Sequence, residues 1–277
     1  MLVCCVLLLS GCIKPDGGDV DTHADRPVLG DLPTHYFENV EYHYSTEVDE
    51  QMLLTGLDSA YLLLANKEYV LGEDYVPAKT VTLKREFTVG KDIDLEARTA
   101  EALYEMMDEM RGAGVTDVKV TSGYRTYFYQ KSLFQQYLNV EMSKISEDAR
   151  KCFSEGYLKE KYTDRGIFAL DYADARTVVL SYSAYPGTSE HQTGLCVDFI
   201  TSTMNGLTTA FENTEAFAWL CDNAYKFGFI LRYPEGKESI TGYTYEPWHY
   251  RFVGREAATD IYFGKLTLEE YLGAEPD

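Results

Sequence analysis

The sequence predicts an α+β fold, a small and mainly antiparallel sheet flanked by helices. Three observations carry that expectation. Short runs rich in β-branched and aromatic residues occur at 117–122 (DVKVTS), 194–200 (GLCVDFI) and 248–253 (WHYRFV). Longer segments between them repeat apolar residues at helical spacing. The two kinds of segment do not alternate as regular βαβ units, which argues against a parallel, doubly wound sheet.

Taken in order, residues 60–65 (AYLLLA) read as a short buried strand or a helix end, which periodicity alone does not separate. Residues 94–112 form a helix whose stripe is Leu95, Ala102, Leu103, Met106, Met107 and Met110, with Thr99 on the same face and Gly112 at the end. The methionines read as core filler. DVKVTS is a strand that ends at Ser122-Gly123. A second helix follows, with Phe128, Leu133, Phe134, Tyr137 and Leu138 at helical spacing. Residues 141–180 are charged and mixed, helical in part, and read as an insertion or lid. Residues 214–229 form a helix with Phe217, Leu220, Cys221 and Ala224 on one face and Gly228 past its end. Thr267 and Glu270 form a capping box on a short final helix.

The chain has 277 residues, enough for a sizeable core and one or two domains. Its net charge of -20 argues against nucleic acid as a partner, because phosphate backbones require basic patches. It argues equally against a polybasic grip on anionic lipid. At the N-terminus, Leu2 to Leu9 form an apolar run far shorter than the about 20 residues that span a bilayer. The run fits the apolar core of a secretory signal, although no Lys or Arg precedes it, a departure that an upstream start codon would explain. Leu9-Ser10-Gly11-Cys12 resembles the bacterial lipoprotein lipobox, which implies lipidation of Cys12. Residues 1–12 are then a lipoprotein signal with its cysteine, 13–30 a flexible tether, and 31–277 a single catalytic domain. Within that domain, 31–90 is an N-terminal extension and about 91–264 the core. Cys152, Cys196 and Cys221 remain, an odd number without a CxxC. They make no disulfide framework or thiolate zinc site. One Cys152–Cys221 bridge is open, and three largely buried thiols are the simpler reading.

Five histidines are present. His23, His35 and His43 lie near no motif. His191 and His249 each have a carboxylate close in sequence: Asp198 inside an apolar run, and Glu246 in "EPWHYR". A buried aspartate is costly unless it is paired or bound to metal. Gly194 and the strand-like run after it argue against one helix holding His191 and Asp198, and the two can converge if the turn folds back. Pro247 likewise excludes a helix through Glu246 and His249. Two imidazoles and one carboxylate suit a catalytic zinc ion, since three protein ligands leave a fourth position open. Glu246 suits a proton acceptor beside that position, and Arg125 at the end of a strand suits an oxyanion partner. Spacing alone leaves ion pairs with core histidines equally open.

The blocks "SGYR", "SEHQTGLCVD" and "EPWHYRFVG" occur in this order and resemble the VanY-type D-alanyl-D-alanine carboxypeptidases, zinc peptidases that trim peptidoglycan stem peptides. The resemblance covers about residues 60–264. It implies a Zn2+ cofactor in a cleft on the sheet, with His191, Asp198 and His249 as ligands, Glu246 as catalytic base and Arg125 as transition-state stabiliser. It also implies Ser189 and Gln130 along the substrate cleft and Trp248 in its wall. Position 196, usually alanine in the family, is cysteine here. On a strand Cys196 shares a face with Asp198, which leaves open an approach of its thiol to the metal; the simpler reading is a small buried residue in place of alanine. Segment 140–185 is longer than usual. The function implied is removal of the terminal D-alanine of stem peptides by a monomer, lipid-anchored on the outer face of the bacterial cytoplasmic membrane. Two alternatives stand beside it: an L,D-carboxypeptidase acting on tetrapeptide stems, and a non-catalytic wall-binding module of the same fold.

Overall fold

The protein is represented by a computed structural model that describes residues 35–54, 58–154 and 175–274, with the backbone alone over 145–154. The signal segment, Cys12, the tether, His23, the Cys152 side chain and the middle of the 140–185 insertion lie outside what is described.

Two antiparallel sheets are present. The smaller pairs β1 (Thr80–Thr82) with β2 (Asp94–Glu96). The larger contains β3 (Lys119–Ser122), β4 (Cys196–Ile200), β5 (Phe229–Leu231) and β6 (His249–Phe252), in the spatial order β3-β4-β6-β5 with antiparallel neighbours throughout. The α+β expectation therefore holds. Side chains alternate between the two faces of a strand. Val197 and Phe199 of β4, Tyr250 and Phe252 of β6, Val120 and Phe229 join one buried cluster. Cys196 and Asp198 of β4, and His249 and Arg251 of β6, take the other face. This alternation explains the aspartate inside an apolar run, since its neighbours Val197 and Phe199 supply the core while Asp198 points away from it. Register then sets Ser122, Asp198 and His249 in one row across three strands, and Cys196 opposite Arg251.

The helices follow in chain order. A single turn, α1 (Glu50–Leu53), buries Leu53 in the main core. Helix α2 (Ala97–Gly112) starts later than its sequence pattern, because Asp94–Glu96 is claimed by β2. Glu96 caps it by accepting a hydrogen bond from the Thr99 amide at 2.9 Å. Leu103, Met106, Met107 and Met110 are fully buried against the sheet residues, each worth about 1.5–3 kcal/mol of hydrophobic burial. Leu95 shares that core, but from the strand. On the same helix Glu109 accepts hydrogen bonds from the amides and hydroxyls of Ser45 and Thr46, which fastens the N-terminal segment to the core.

Helix α3 (Tyr127–Ser154) is longer than the sequence suggested. Only Phe134 and Leu138 of its expected stripe are buried, against Ala175 and Val179 of the helical segment 175–182 (α4). Phe128 and Tyr137 are exposed. Helix α5 (Glu215–Asn223) runs into a 3-10 turn that ends at Gly228, whose φ is 83°. A Cβ at Gly228 would lie 2.6 Å from the Phe252 ring, so glycine is required there by both conformation and space. A short turn, α6 (Glu238–Thr241), precedes Glu246. Helices α7 (Arg255–Gly264) and α8 (Leu268–Leu272) close the chain, the latter with the expected Thr267/Glu270 capping box.

Leu62 and Leu64 pack with α7 and α8 in a second buried cluster. Yet AYLLLA forms neither strand nor helix end. The Arg251 guanidinium takes the carbonyls of Tyr61 at 2.9 Å and Leu63 at 2.7 Å, so these oxygens do not enter a sheet ladder. Among the described residues Cys196 and Cys221 are free thiols; the Cys152–Cys221 bridge left open by the sequence involves a side chain outside the described residues. Among the described residues no helix is long and apolar enough to cross a membrane.

Candidate metal centre

A cleft of about 410 Å³ opens over the polar face of the larger sheet. His191 reaches it from a 3-10 turn (Glu190–Thr193) that reverses at Gly194, φ 70°, directly into β4. The turn folds back, so His191 Nε2 lies 3.2 Å from Asp198 Oδ2. Across the sheet, His249 Nδ1 lies 3.0 Å from Asp198 Oδ1. One carboxylate thus bridges two imidazoles whose centroids are 5.1 Å apart. Glu246 is joined to His249 by a turn through Pro247, with the His249 amide donating to the Glu246 carbonyl at 3.1 Å. The turn swings the Glu246 carboxylate to 3.8 Å from His249 Nδ1.

The ring orientations are fixed from outside. His191 Nδ1 donates to the Gly123 carbonyl at 2.7 Å, which leaves Nε2 as the inward lone pair. His249 Nε2 lies 3.6 Å from Glu190 Oε2, and neither buried atom has another partner, so the pair selects Nδ1 of His249 as the inward atom. Glu190 is itself held by Arg232 Nε at 2.8 Å and Arg251 Nη1 at 2.7 Å. Arg232 also forks onto Glu269 of α8, which Asn66 meets at 3.1 Å. The blocks around His191 and His249 are therefore joined twice, once at the candidate ligands and once through a fully buried ion-pair network beneath them. Sequence reasoning gave no role to Glu190, Arg232 or Glu269. The one available signal was a carboxylate adjacent to His191 and an arginine two residues after His249.

Electrostatics follow from this packing. Burial raises the Asp198 carboxyl, but the two imidazoles outweigh it and hold the group well below its ordinary value. Burial pushes the Glu246 carboxyl up, against the pull of His249, to about 7. Burial and Arg125 lower His191, yet Cys196 and Asp198 together raise it to about 9. Burial raises the Cys196 thiol, but His191 and His249 bring it down to about 7. Once metal binding displaces the imidazole protons, two nitrogens and one carboxylate converging in burial are the donor set of a catalytic zinc ion, so the residues present fit that metal. The Cys196 sulfur belongs to the same cluster: it and one ring nitrogen from each histidine all lie within 4.8 Å of one another.

The remaining predicted residues line the cleft. Arg125 donates to Ser122 Oγ through Nε at 3.0 Å and Nη2 at 2.7 Å, and to Asp198 Oδ2 at 3.1 Å. Its guanidinium therefore has a carboxylate partner already. Gln130 is buried, accepting from Arg125 at 3.4 Å and donating to the Ala184 carbonyl at 2.8 Å. Ser189 stands at the N-cap position of the turn that carries His191, without a side-chain capping hydrogen bond. Trp248 forms part of the wall and packs on the main core. Tyr137 and Tyr182 of the α3–α4 insertion meet edge to face at 5.5 Å on the rim.

Comparison with known proteins places this arrangement. The VanY D-alanyl-D-alanine carboxypeptidase family matches residues 92–255, well over half of the chain and all of the cleft's candidate ligands. The chain belongs to the VanY family. A D-alanyl-D-alanine carboxypeptidase of Enterococcus faecalis is 36% identical over 214 residues, which is 77% of this chain and 66% of the relative. The chain thus spans about two thirds of the length of the curated VanY relatives it matches. Among solved structures, the LdcB LD-carboxypeptidase superposes with a TM-score of 0.61 at 33% identity, covering 80% of this chain and 94% of that one. The vancomycin-resistance D,D-pentapeptidase VanY in complex with Zn(II) gives 0.56 at 33% identity, covering 77% and 99%.

Proposed function

We propose that the chain is a zinc-dependent carboxypeptidase that removes the C-terminal D-alanine from peptidoglycan stem peptides. The observation that carries this reading is the convergence of His191 Nε2, both Asp198 oxygens and His249 Nδ1, with Glu246 3.8 Å from His249, in a cleft of about 410 Å³. His191, Asp198 and His249 hold the zinc, which when bound polarises the scissile carbonyl and lowers the pKa of the attacking water. Glu246 takes the proton of that water and delivers it to the leaving D-alanine amine. A carboxyl held near 7 is suited to both halves of that transfer. Arg125 steadies the developing oxyanion, and Gln130 and Ser189 shape the cleft around the peptide. In this reading the catalytic domain is 31–277 and acts as a monomer.

The Arg125 role is checked by Arg125→Lys, which keeps the charge but loses the planar fork. The variant retains zinc and near-normal melting while kcat/KM falls at least about tenfold, a barrier increase of about 1.4 kcal/mol. A large loss of thermal stability with normal activity per folded molecule would make Arg125 a scaffold partner of Asp198 alone.

The likeness to the LdcB LD-carboxypeptidase favours a second reading, cleavage of the bond before D-alanine in tetrapeptide stems. The same ligands and base serve either bond. Mass spectrometry of defined tri-, tetra- and pentapeptide stems after incubation separates the cases. Loss of one D-alanine from the pentapeptide alone marks D,D-activity, and loss from the tetrapeptide marks L,D-activity. Unchanged masses throughout would leave a wall-binding module. We further propose that Cys12 carries a lipid that holds the enzyme outside the cytoplasmic membrane, beside its substrate. Cys12→Ser then moves the protein out of the membrane fraction or leaves its signal uncleaved, whereas unchanged membrane association removes the anchor.

A further inference from the structure

Cys196 is more than a small core residue. It stands two positions before Asp198 on β4, on the same face of the strand, and it is fully buried. Its sulfur and a nitrogen of each candidate histidine ligand lie within 4.8 Å of one another. Ligands of one tetrahedral zinc, with bonds of about 2.0–2.3 Å, are separated by roughly 3.3–3.6 Å. The three atoms need to close by at most about 1.5 Å to share one ion. We propose that Cys196 is a zinc ligand: in the substrate-free enzyme its thiolate joins His191, Asp198 and His249 and fills the position that a hydrolytic site leaves open.

The inference rests on the zinc reading above. Among the direct ligands Asp198 supplies one negative charge against the two positive charges of zinc, and a thiolate would supply the second. Thiolate is also a softer and stronger zinc ligand than water. The thiol proton leaves to solvent as the metal binds. Such a site would be closed at rest, and the sulfur would have to yield its position to the attacking water before hydrolysis begins.

X-ray absorption at the zinc edge of the full-length, substrate-free protein tests this without reference to activity. The wild type should show one sulfur scatterer at about 2.3 Å beside nitrogen and oxygen. Cys196→Ala and the near-isosteric Cys196→Ser should keep one zinc and lose the sulfur, while Cys221→Ala should keep both. A shell of nitrogen and oxygen alone in the wild type overturns the proposal, as does sulfur that persists in both Cys196 variants. Failure of the wild type to bind zinc, or undiminished binding by His191→Ala, sinks the zinc reading itself and is distinguishable from either of those results.

Discussion

Glu246→Gln is expected to lower turnover by about 10²–10⁴-fold while leaving zinc content and fold intact. The amide has the shape of the carboxylate but cannot accept the proton of the attacking water or return it to the leaving amine, so both transfers fail together. Stability should not suffer. Burial raises the Glu246 carboxyl to about 7, which means the folded protein disfavours its ionised form. For a carboxyl shifted upward, the folded state gives up stability as pH rises above the ordinary carboxylate range, and a neutral amide removes that cost. Thermal melting, metal analysis and a D-alanine release assay on one preparation separate these terms. Retention of near wild-type turnover would place the base elsewhere.

His191→Ala is expected to abolish metal binding and, with it, turnover. The substitution removes one of two imidazole ligands, and the donors that remain, Asp198 and His249 with the proposed Cys196 sulfur, are expected to hold zinc too weakly to keep it through purification. It also leaves the Gly123 carbonyl, now bonded at 2.7 Å, without its donor. An orphaned buried acceptor costs about 1–3 kcal/mol, so the variant should fold with a lowered melting temperature. Asp198 keeps its contacts to His249 at 3.0 Å and Arg125 at 3.1 Å, and the ion-pair network beneath the site is untouched. Loss of activity here should therefore follow the metal and not the fold, which circular dichroism verifies.

The strands of the larger sheet were legible because period-two alternation and β-branched residues mark them locally. GLCVDFI even contains the reason for its aspartate, since Cys196 and Asp198 fall on one face and Val197 and Phe199 on the other. The capping box at Thr267 and the stop at Gly228 are local signals of the same kind. The start of α2 was misplaced because strand pairing of Asp94–Glu96 with Thr80–Thr82 depends on a partner twelve or more residues away. AYLLLA was misread for a similar reason, its carbonyls being claimed by Arg251 nearly 190 residues later.

At the site, the clustering of His191, Asp198 and His249 was open to inference from residue type, Gly194 and Pro247. The support beneath it was not. Glu190, Arg232, Arg251 and Glu269 form a fully buried network whose members look like ordinary surface charges in the sequence. Removing one member of such a network leaves an unpaired charge in burial, a change worth about 3–5 kcal/mol. The nearness of the Cys196 sulfur to both imidazoles was legible only as an alternative, from the strand face it shares with Asp198, while the simpler reading made the residue a stand-in for alanine.

Elemental analysis of zinc per chain, on wild type and His191→Ala purified side by side, bears most directly on the metal centre. One zinc per wild-type chain and essentially none in the variant is the expected result. Equal zinc in both proteins would remove His191 from the ligand set and contradict the site described here.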